Sequence, residues 1–122
     1  PQLMRNIIYL LTIEKRYREV VNTTEQLIQI DPTSDSYERL GWAQFRLSDY
    51  QASLEAYKIS VGYDDRNWRS LNGIGVNELN AWLLSEKTNT SAFQNARTAF
   101  RRSLSIEPNQ PKVITLVLRY GL

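Results

Sequence analysis

Three segments of the chain repeat one helical pattern. Apolar and small residues recur at three- and four-residue spacing from Tyr17 to Ile28, from Tyr50 to Val61 and from Phe93 to Leu104. This is the spacing of one buried face of an α-helix. A second helical segment precedes each of the three, and no alternating strand pattern competes with them. The sequence therefore predicts an all-α fold built from stacked antiparallel helix pairs.

The junctions between these segments are also repeated. The stretches QIDPTSD (29–35) and SIEPNQP (105–111) each carry an apolar residue, an acid, a proline and a polar residue in the same order. Proline is common just past a helix end because it cannot continue the helix. Ser48–Gln51 and Ser91–Gln94 have the form of a capping box, which predicts a helix start at each. The predicted units are residues 1–33, 34–67 and 68–110, followed by a capping helix at 111–120.

A helix pair repeated at about 34 residues has the period of the tetratricopeptide repeat, and the residues resemble that family. The third unit keeps most of the family's pattern and carries an insertion near residues 82–90, where Trp82 and Leu83 extend either a local core or a contact site for another protein. The resemblance implies one domain over residues 1–122, folded as a right-handed α-solenoid of about seven helices. The middle unit matches the pattern best, at Tyr37, Leu40, Gly41, Tyr50, Leu54, Tyr57 and Ser60.

Small residues predict where the helices of a pair approach closely. Nothing bulky intervenes at such positions, so the helix axes can come together and their crossing angle is fixed. The residues concerned are Gly41 with Ser53 and Ser60, and Gly75 with Ala96 and Ser103.

No set of residues for catalysis is evident. The 122 residues include no cysteine and no histidine, so a thiolate nucleophile, the commonest metal ligand and the commonest general base are missing. Asp64 and Asp65 lie between helices, where capping explains them better than acid–base chemistry. The glycines of Asn72–Gly75 follow no strand and indicate helix packing, not a phosphate loop. We therefore expect neither catalysis nor a cofactor.

Function is then expected from a surface. In proteins of the tetratricopeptide-repeat family the first helix of each pair lines the concave face, and arginine and aromatic side chains are common anchors of interfaces. The resemblance implies a partner-binding groove for a protein or an extended peptide. Packing is the alternative interpretation, with Phe45 covering the next helix pair and Tyr9 lying on Trp42. The groove residues are Arg5, Tyr9, Glu38, Arg39, Trp42, Phe45, Arg46, Arg69, Asn72 and Val76, with Thr12 and Asn80 on the same face.

Some members of the family hold the carboxylate of chaperone peptides in a clamp of lysine, asparagine and arginine. By position, Arg5 and Arg69 supply two of the basic places. Tyr9 and Arg39 stand where asparagines are expected, and Gly73 stands where a basic residue is expected. We therefore expect an extended partner segment with some acidic character, and not that particular ligand.

Charge and hydropathy argue against two other kinds of partner. The net charge is only +2, and a solvated convex face explains the Arg97, Arg101 and Arg102 cluster more simply than phosphate contacts do. Nucleic acid is therefore an unlikely partner, and an RNA-associated repeat is the weakest functional hypothesis. The apolar runs fall far short of the roughly 20 residues that span a bilayer, so membrane insertion is not expected.

The two ends of the chain predict further contacts. The first and last helices are apolar on most sides, with Leu3, Leu10, Ile114 and Leu118 among their residues, which predicts self-association through a terminal helix. The chain starts at Pro1 without a methionine and runs straight into helical periodicity, so we expect a fragment of a longer protein. No signal peptide is visible. A cytoplasmic location is favoured, and a periplasmic one requires a missing targeting segment. An interaction module is the favoured function; a regulatory or recruiting domain of a multidomain enzyme is the alternative.

Overall fold

The computed structural model describes all 122 residues, and its regular structure is entirely helical. The predicted all-α solenoid of stacked helix pairs is confirmed, while the exact repeat boundaries stay a prediction. None of the helices is long and apolar enough to cross a membrane. The helices are α1 (Gln2–Ile13), α2 (Tyr17–Ile30), α3 (Ser34–Arg46), α4 (Tyr50–Tyr63), α5 (Trp68–Leu84), α6 (Thr90–Ile106) and α7 (Pro111–Tyr120).

Both predicted capping boxes are wrong. Ser48 has a φ of 63° and closes the turn after α3, so α4 begins two residues later without a side-chain cap. In α6 the cap is Asn89, which accepts a hydrogen bond from the Ala92 backbone N–H at 3.0 Å, and Ser91 already lies in the first turn. The capping box that does form joins Thr33 and Ser36 at the start of α3.

Two glycines let a partner helix's aromatic ring lie against the backbone. A Cβ atom at Gly41 would lie 3.0 Å from the ring of Tyr57, and one at Gly75 would lie 2.7 Å from the ring of Phe100. The small residues predicted to face them are fully buried, each with 0% exposure: Ser53, Ser60, Ala96 and Ser103. The close approach predicted from the sequence is therefore confirmed.

Gly75→Ala is expected to lower the free energy of unfolding by about 1–2 kcal/mol, because the clash with a fully buried ring outweighs the gain in helix propensity. Gly62 lies in α4 with open space around it. Gly62→Ala should therefore raise the same free energy, by up to about 1 kcal/mol. Urea denaturation of both variants measures the difference, and effects of equal sign would contradict the packing described.

At two of the junctions between helix pairs, α4–α5 and α6–α7, one amide side chain forms hydrogen bonds across the junction. Asn67 accepts a hydrogen bond from the Ser70 backbone N–H at 3.2 Å and donates to the hydroxyls of Ser34 and Ser60 at 2.9 and 3.3 Å. Gln110 donates to the hydroxyl of Ser103 at 3.0 Å, across the same sequence separation of 7 as Asn67 and Ser60. Each amide thereby ties the start of one helix to the preceding helix pair.

The first helix pair uses an apolar contact instead of such a bond. Leu27 occupies the place of the serine and packs with Ile8, Val20 and Ala43, all of them buried. A second core lies at the other end of the chain, around Phe100. The first junction between helix pairs is therefore apolar, whereas the two later junctions are hydrogen-bonded.

The insertion in the third unit extends the second core. The ring of Trp82 lies 4.9 Å from that of Phe93 and 6.3 Å from that of Tyr120. Leu83 and Leu84, at the end of α5, remain exposed. Trp82 therefore packs locally, as the first of the two interpretations expected.

Candidate functional site

The predicted groove exists as a trough along α3 and α5. It consists of two adjoining hollows of about 300 and 290 Å³, which share Trp42, Tyr57 and Arg69. All of the predicted residues except Arg5, Tyr9 and Asn80 line it. The lining residues, called the trough below, are Thr12, Glu38, Arg39, Trp42, Phe45, Arg46, Tyr57, Arg69, Asn72, Gly73 and Val76.

Arg5 and Tyr9 lie apart from this surface. Arg5 forms an ion pair with Asp31 at the end of α2. Tyr9 is 58% exposed, and the ring that contacts Trp42 is that of Tyr17, at 5.3 Å. The expectation that Tyr9 packs on Trp42 is therefore wrong: α2, not α1, supplies the aromatic neighbour.

Trp42 and Arg46 form an exposed pair on α3 that rests on Tyr17. The Tyr17 ring meets Trp42 edge-on, and the guanidinium of Arg46 lies 5.4 Å from the centre of the Tyr17 ring. Arg46 takes part in none of the ion pairs of the chain. A cation over an aromatic face is held in place yet keeps its hydrogen-bond donors. This pair can therefore contact a ligand with little rearrangement.

Phe45 packs against α4 and also lines the trough. Its ring lies 5.3 Å from that of Tyr50 at the start of α4, so part of it packs within its own helix pair. The remaining surface lines the trough beside Arg46.

The other arginines of the trough are partly neutralised. Arg69 lies over the Trp68 ring and donates through Nε to the carboxylate of Glu38 at 3.3 Å. Asn67 donates to the same carboxylate at 3.0 Å. Arg39 lies 3.6 Å from Asp35 at a largely exposed position, where an ion pair contributes little. The trough therefore carries three arginines and one carboxylate, with Arg46 the least engaged.

Tyr57 reaches from α4 to form the floor of the trough. It is 6% exposed, and its ring fills the space beside Gly41 and Gly73. Burial raises the pKa of its phenol, and the charge of Glu38 raises it further, so the hydroxyl stays protonated at neutral pH. The sequence pattern placed Tyr57 on the buried face of its helix. The structure shows that it also lines the trough, next to Gly73 of the following unit.

The same ring explains the departure from the clamp pattern at position 73. A Cβ atom at Gly73 would lie 2.4 Å from the Tyr57 ring. Any side chain there would have to displace a buried aromatic ring. The basic residue that the clamp requires at this position is therefore incompatible with the packing of this chain.

The arginine cluster on the convex face is partly occupied. Arg101 donates through Nε to the backbone carbonyl of Leu122 at 2.8 Å, and Arg102 donates to that of Asp65 at 3.1 Å. Two of the three guanidinium groups are thus bonded to backbone carbonyls of the chain itself.

Stacked helix pairs with an open trough along their first helices define a helical-repeat protein of the solenoid class. Solved structures give the particular fold. The chain superposes on the first TPR of Spaghetti (RPAP3) bound to the HSP90 peptide SRMEEVD with a TM-score of 0.86 at 14% identity, covering 98% of this chain and 89% of that one. It superposes on the Arabidopsis OM64 TPR domain with a TM-score of 0.84 at 16% identity, covering 97% and 91%. The fold is that of a tetratricopeptide-repeat domain, as the resemblance implied.

A curated relative covers a shorter stretch. The Hsp70-Hsp90 organizing protein of Triticum aestivum is 35% identical over 57 residues, which are 46% of this chain and 10% of that protein. No family model matches the chain. The match with the curated relative thus spans only a small part of its length.

Proposed function

We propose that the chain is a non-catalytic protein-interaction module that binds an extended peptide segment of a partner in the trough. The observation that carries this proposal is the pairing of Trp42 and Arg46, an exposed aromatic ring and an arginine without a carboxylate partner, both supported by Tyr17. Residues of these types contribute most of the free energy at many protein interfaces. Their support from α2 reduces the ordering cost of binding.

The charges of the trough favour an acidic segment. Arg39, Arg46 and Arg69 line the trough together with one carboxylate, that of Glu38, and Arg39 also lies 3.6 Å from Asp35 outside the lining. The Tyr57 hydroxyl adds a neutral donor at the floor. A ligand carboxylate would find donors here with little competing negative charge. The Spaghetti (RPAP3) domain of the same fold is bound to the acidic HSP90 peptide SRMEEVD, which supports a ligand of this kind.

The ligand would not be held by the clamp of lysine, asparagine and arginine that some members of the family use. Arg5 is engaged with Asp31, and Tyr57 fills the space at Gly73. The positions that remain available are those of α3 and α5 around Trp42. These contacts support an acidic peptide as the ligand, bound mainly by Arg46 and its neighbours in the trough.

Selection from a library of random peptides displayed on phage tests the proposal. Peptides enriched on the wild-type chain are expected to be rich in aspartate and glutamate and to lose binding to the Arg46→Ala variant. Arg97→Ala, which removes an exposed arginine of α6 outside the trough, is the matched control and should retain binding. Enriched peptides that bind both variants equally would contradict the proposal.

Self-association through a terminal helix is a second proposal, carried by a different surface. On α1, Leu3, Ile7 and Leu10 are 72%, 40% and 57% exposed at helical spacing, and Leu118 on α7 is 77% exposed. Monomeric proteins rarely leave such stripes uncovered. Sedimentation velocity should show a concentration-dependent dimer that Leu10→Glu abolishes and Leu84→Glu does not. A monomer at the highest concentration, measured on the full natural chain, would contradict it.

A further inference from the structure

We infer that a third hollow, between α5 and α7, receives a bulky apolar side chain of the bound peptide that lies next to an acidic group. This inference rests on the proposed function and specifies the ligand class further. The hollow, called the C-terminal hollow below, measures about 650 Å³, twice the size of either hollow of the trough. Neither the sequence pattern nor the resemblance indicated it.

The walls of the C-terminal hollow are apolar. Trp68 and Val76 of α5 face Val113 and Leu116 of α7, and Phe100 of α6 lies beneath them. Phe100 and Val113 are buried in the second core, the one around Phe100, so this part of the wall is in place before any ligand binds. A preformed apolar cavity of this kind gains most from a large apolar group that displaces water.

The rim of the C-terminal hollow is cationic. Lys112 lies at the start of α7 and takes part in none of the ion pairs of the chain. No aspartate or glutamate lines the hollow. A ligand with an apolar group next to a negative charge would therefore pack its apolar group against the wall and place its charge near Lys112.

Asn72 supplies an unused acceptor where the C-terminal hollow meets the trough. It donates to Oε1 of Gln110 at 2.7 Å, and Gln110 is itself fixed by donating to the hydroxyl of Ser103. The Oδ1 atom of Asn72 has no hydrogen-bond partner although it is buried. Buried acceptors are normally satisfied. Since this atom is buried, a peptide N–H bonds to it only after the Asn72 side chain turns toward the cavities.

The two cavities form a continuous path. Asn72 and Val76 belong to the linings of both. An extended peptide has side chains pointing in alternate directions, so it can place one group at Arg46 and a later one at the C-terminal hollow. The occupant of this hollow is thus a bulky apolar residue flanked by aspartate or glutamate, on the same peptide that the trough binds.

Titration with 2-naphthylacetate, an aromatic carboxylate, tests the C-terminal hollow on its own. Amide chemical shifts in two-dimensional NMR spectra should change in a saturable way at Trp68, Val76 and Leu116. Lys112→Glu should weaken binding by about three- to tenfold through charge reversal at the rim. Lys58→Glu, the same change at an exposed lysine of α4, should leave it unaltered. Shifts elsewhere, or equal affinity in the two variants, would overturn the inference.

A peptide experiment separates this inference from the proposed function. In a peptide selected on the wild-type chain, replacing its bulky apolar residue by alanine should weaken binding at least about tenfold. Leu116→Trp, which fills the hollow from α7 and lies outside the trough, should remove that difference while sensitivity to Arg46→Ala remains. If the peptide depends on Arg46 but not on its apolar residue, the inference fails and the proposed function stands. If naphthylacetate binds but no peptide depends on Arg46, the proposed function fails.

Discussion

Phe100→Ala is expected to lower the free energy of unfolding by about 3–5 kcal/mol, the range for truncating a fully buried aromatic ring. Phe100 is 0% exposed and lies directly against the backbone at Gly75. It also belongs to the core that holds Leu79 and Val113, so its loss loosens the contact of α5 and α6 with α7. Urea denaturation followed by circular dichroism measures the change.

A matched truncation on the same pair of helices sets the baseline for Phe100→Ala. Leu84, at the end of α5, is 70% exposed. Leu84→Ala should change the free energy of unfolding by less than about 0.5 kcal/mol. A cost for Phe100→Ala below about 1.5 kcal/mol would mean that Phe100 does not hold these helices together.

The double variant Trp42→Ala, Arg46→Ala is expected to bind a trough-selected peptide at least about a hundredfold more weakly than the wild type. Each residue has the character of an interface anchor, worth on the order of 2 kcal/mol, and about 1.4 kcal/mol corresponds to a factor of ten in affinity. Fluorescence anisotropy of a labelled peptide measures the loss. The share due to Arg46 should shrink as salt is raised, because it comes from a charge pair near the surface.

Controls distinguish loss of contact from loss of fold in this double variant. Trp42 is half-exposed, so urea denaturation of the variant should show a fold that remains intact. The double variant Tyr63→Ala, Arg97→Ala removes an exposed aromatic ring and an arginine that do not line the trough. It should bind the peptide as the wild type does. Equal losses in the two double variants would place the binding surface elsewhere.

The parts of the fold that were predictable from the sequence are those decided locally. Helical periodicity reflects one buried face per helix, so it can be read from neighbouring positions. Gly41 and Gly75 were informative because close helix approach requires small residues. The caps predicted at Ser48 and Ser91 are wrong because several polar residues in a short loop can each cap a helix. Loop geometry, which the local pattern does not contain, decides among them.

The candidate site was predictable only in outline. The side chains predicted on α3 and α5 line the trough, apart from Asn80, because each lies on a known face of its helix. Tyr57, from α4, was missed as its floor, since the relevant contact joins it to Gly73 in the next unit. The C-terminal hollow was missed for the same reason: its walls come from α5, α6 and α7, and the bond between Asn72 and Gln110 spans 38 positions. Long-range contacts of this kind leave no periodic signal.

The measurement that tests the account most directly is NMR mapping of a selected peptide on the isotope-labelled chain. Binding in the trough predicts saturable changes at the backbone amides of Glu38, Arg46 and Asn72 and at the indole N–H of Trp42. The convex residues of α4 and α6, such as Lys58 and Arg97, should be unaffected. Changes confined to the convex face or to the exposed apolar stripe of α1, with the Trp42 indole signal unmoved, would contradict the central claim that this fold binds its partner in the trough.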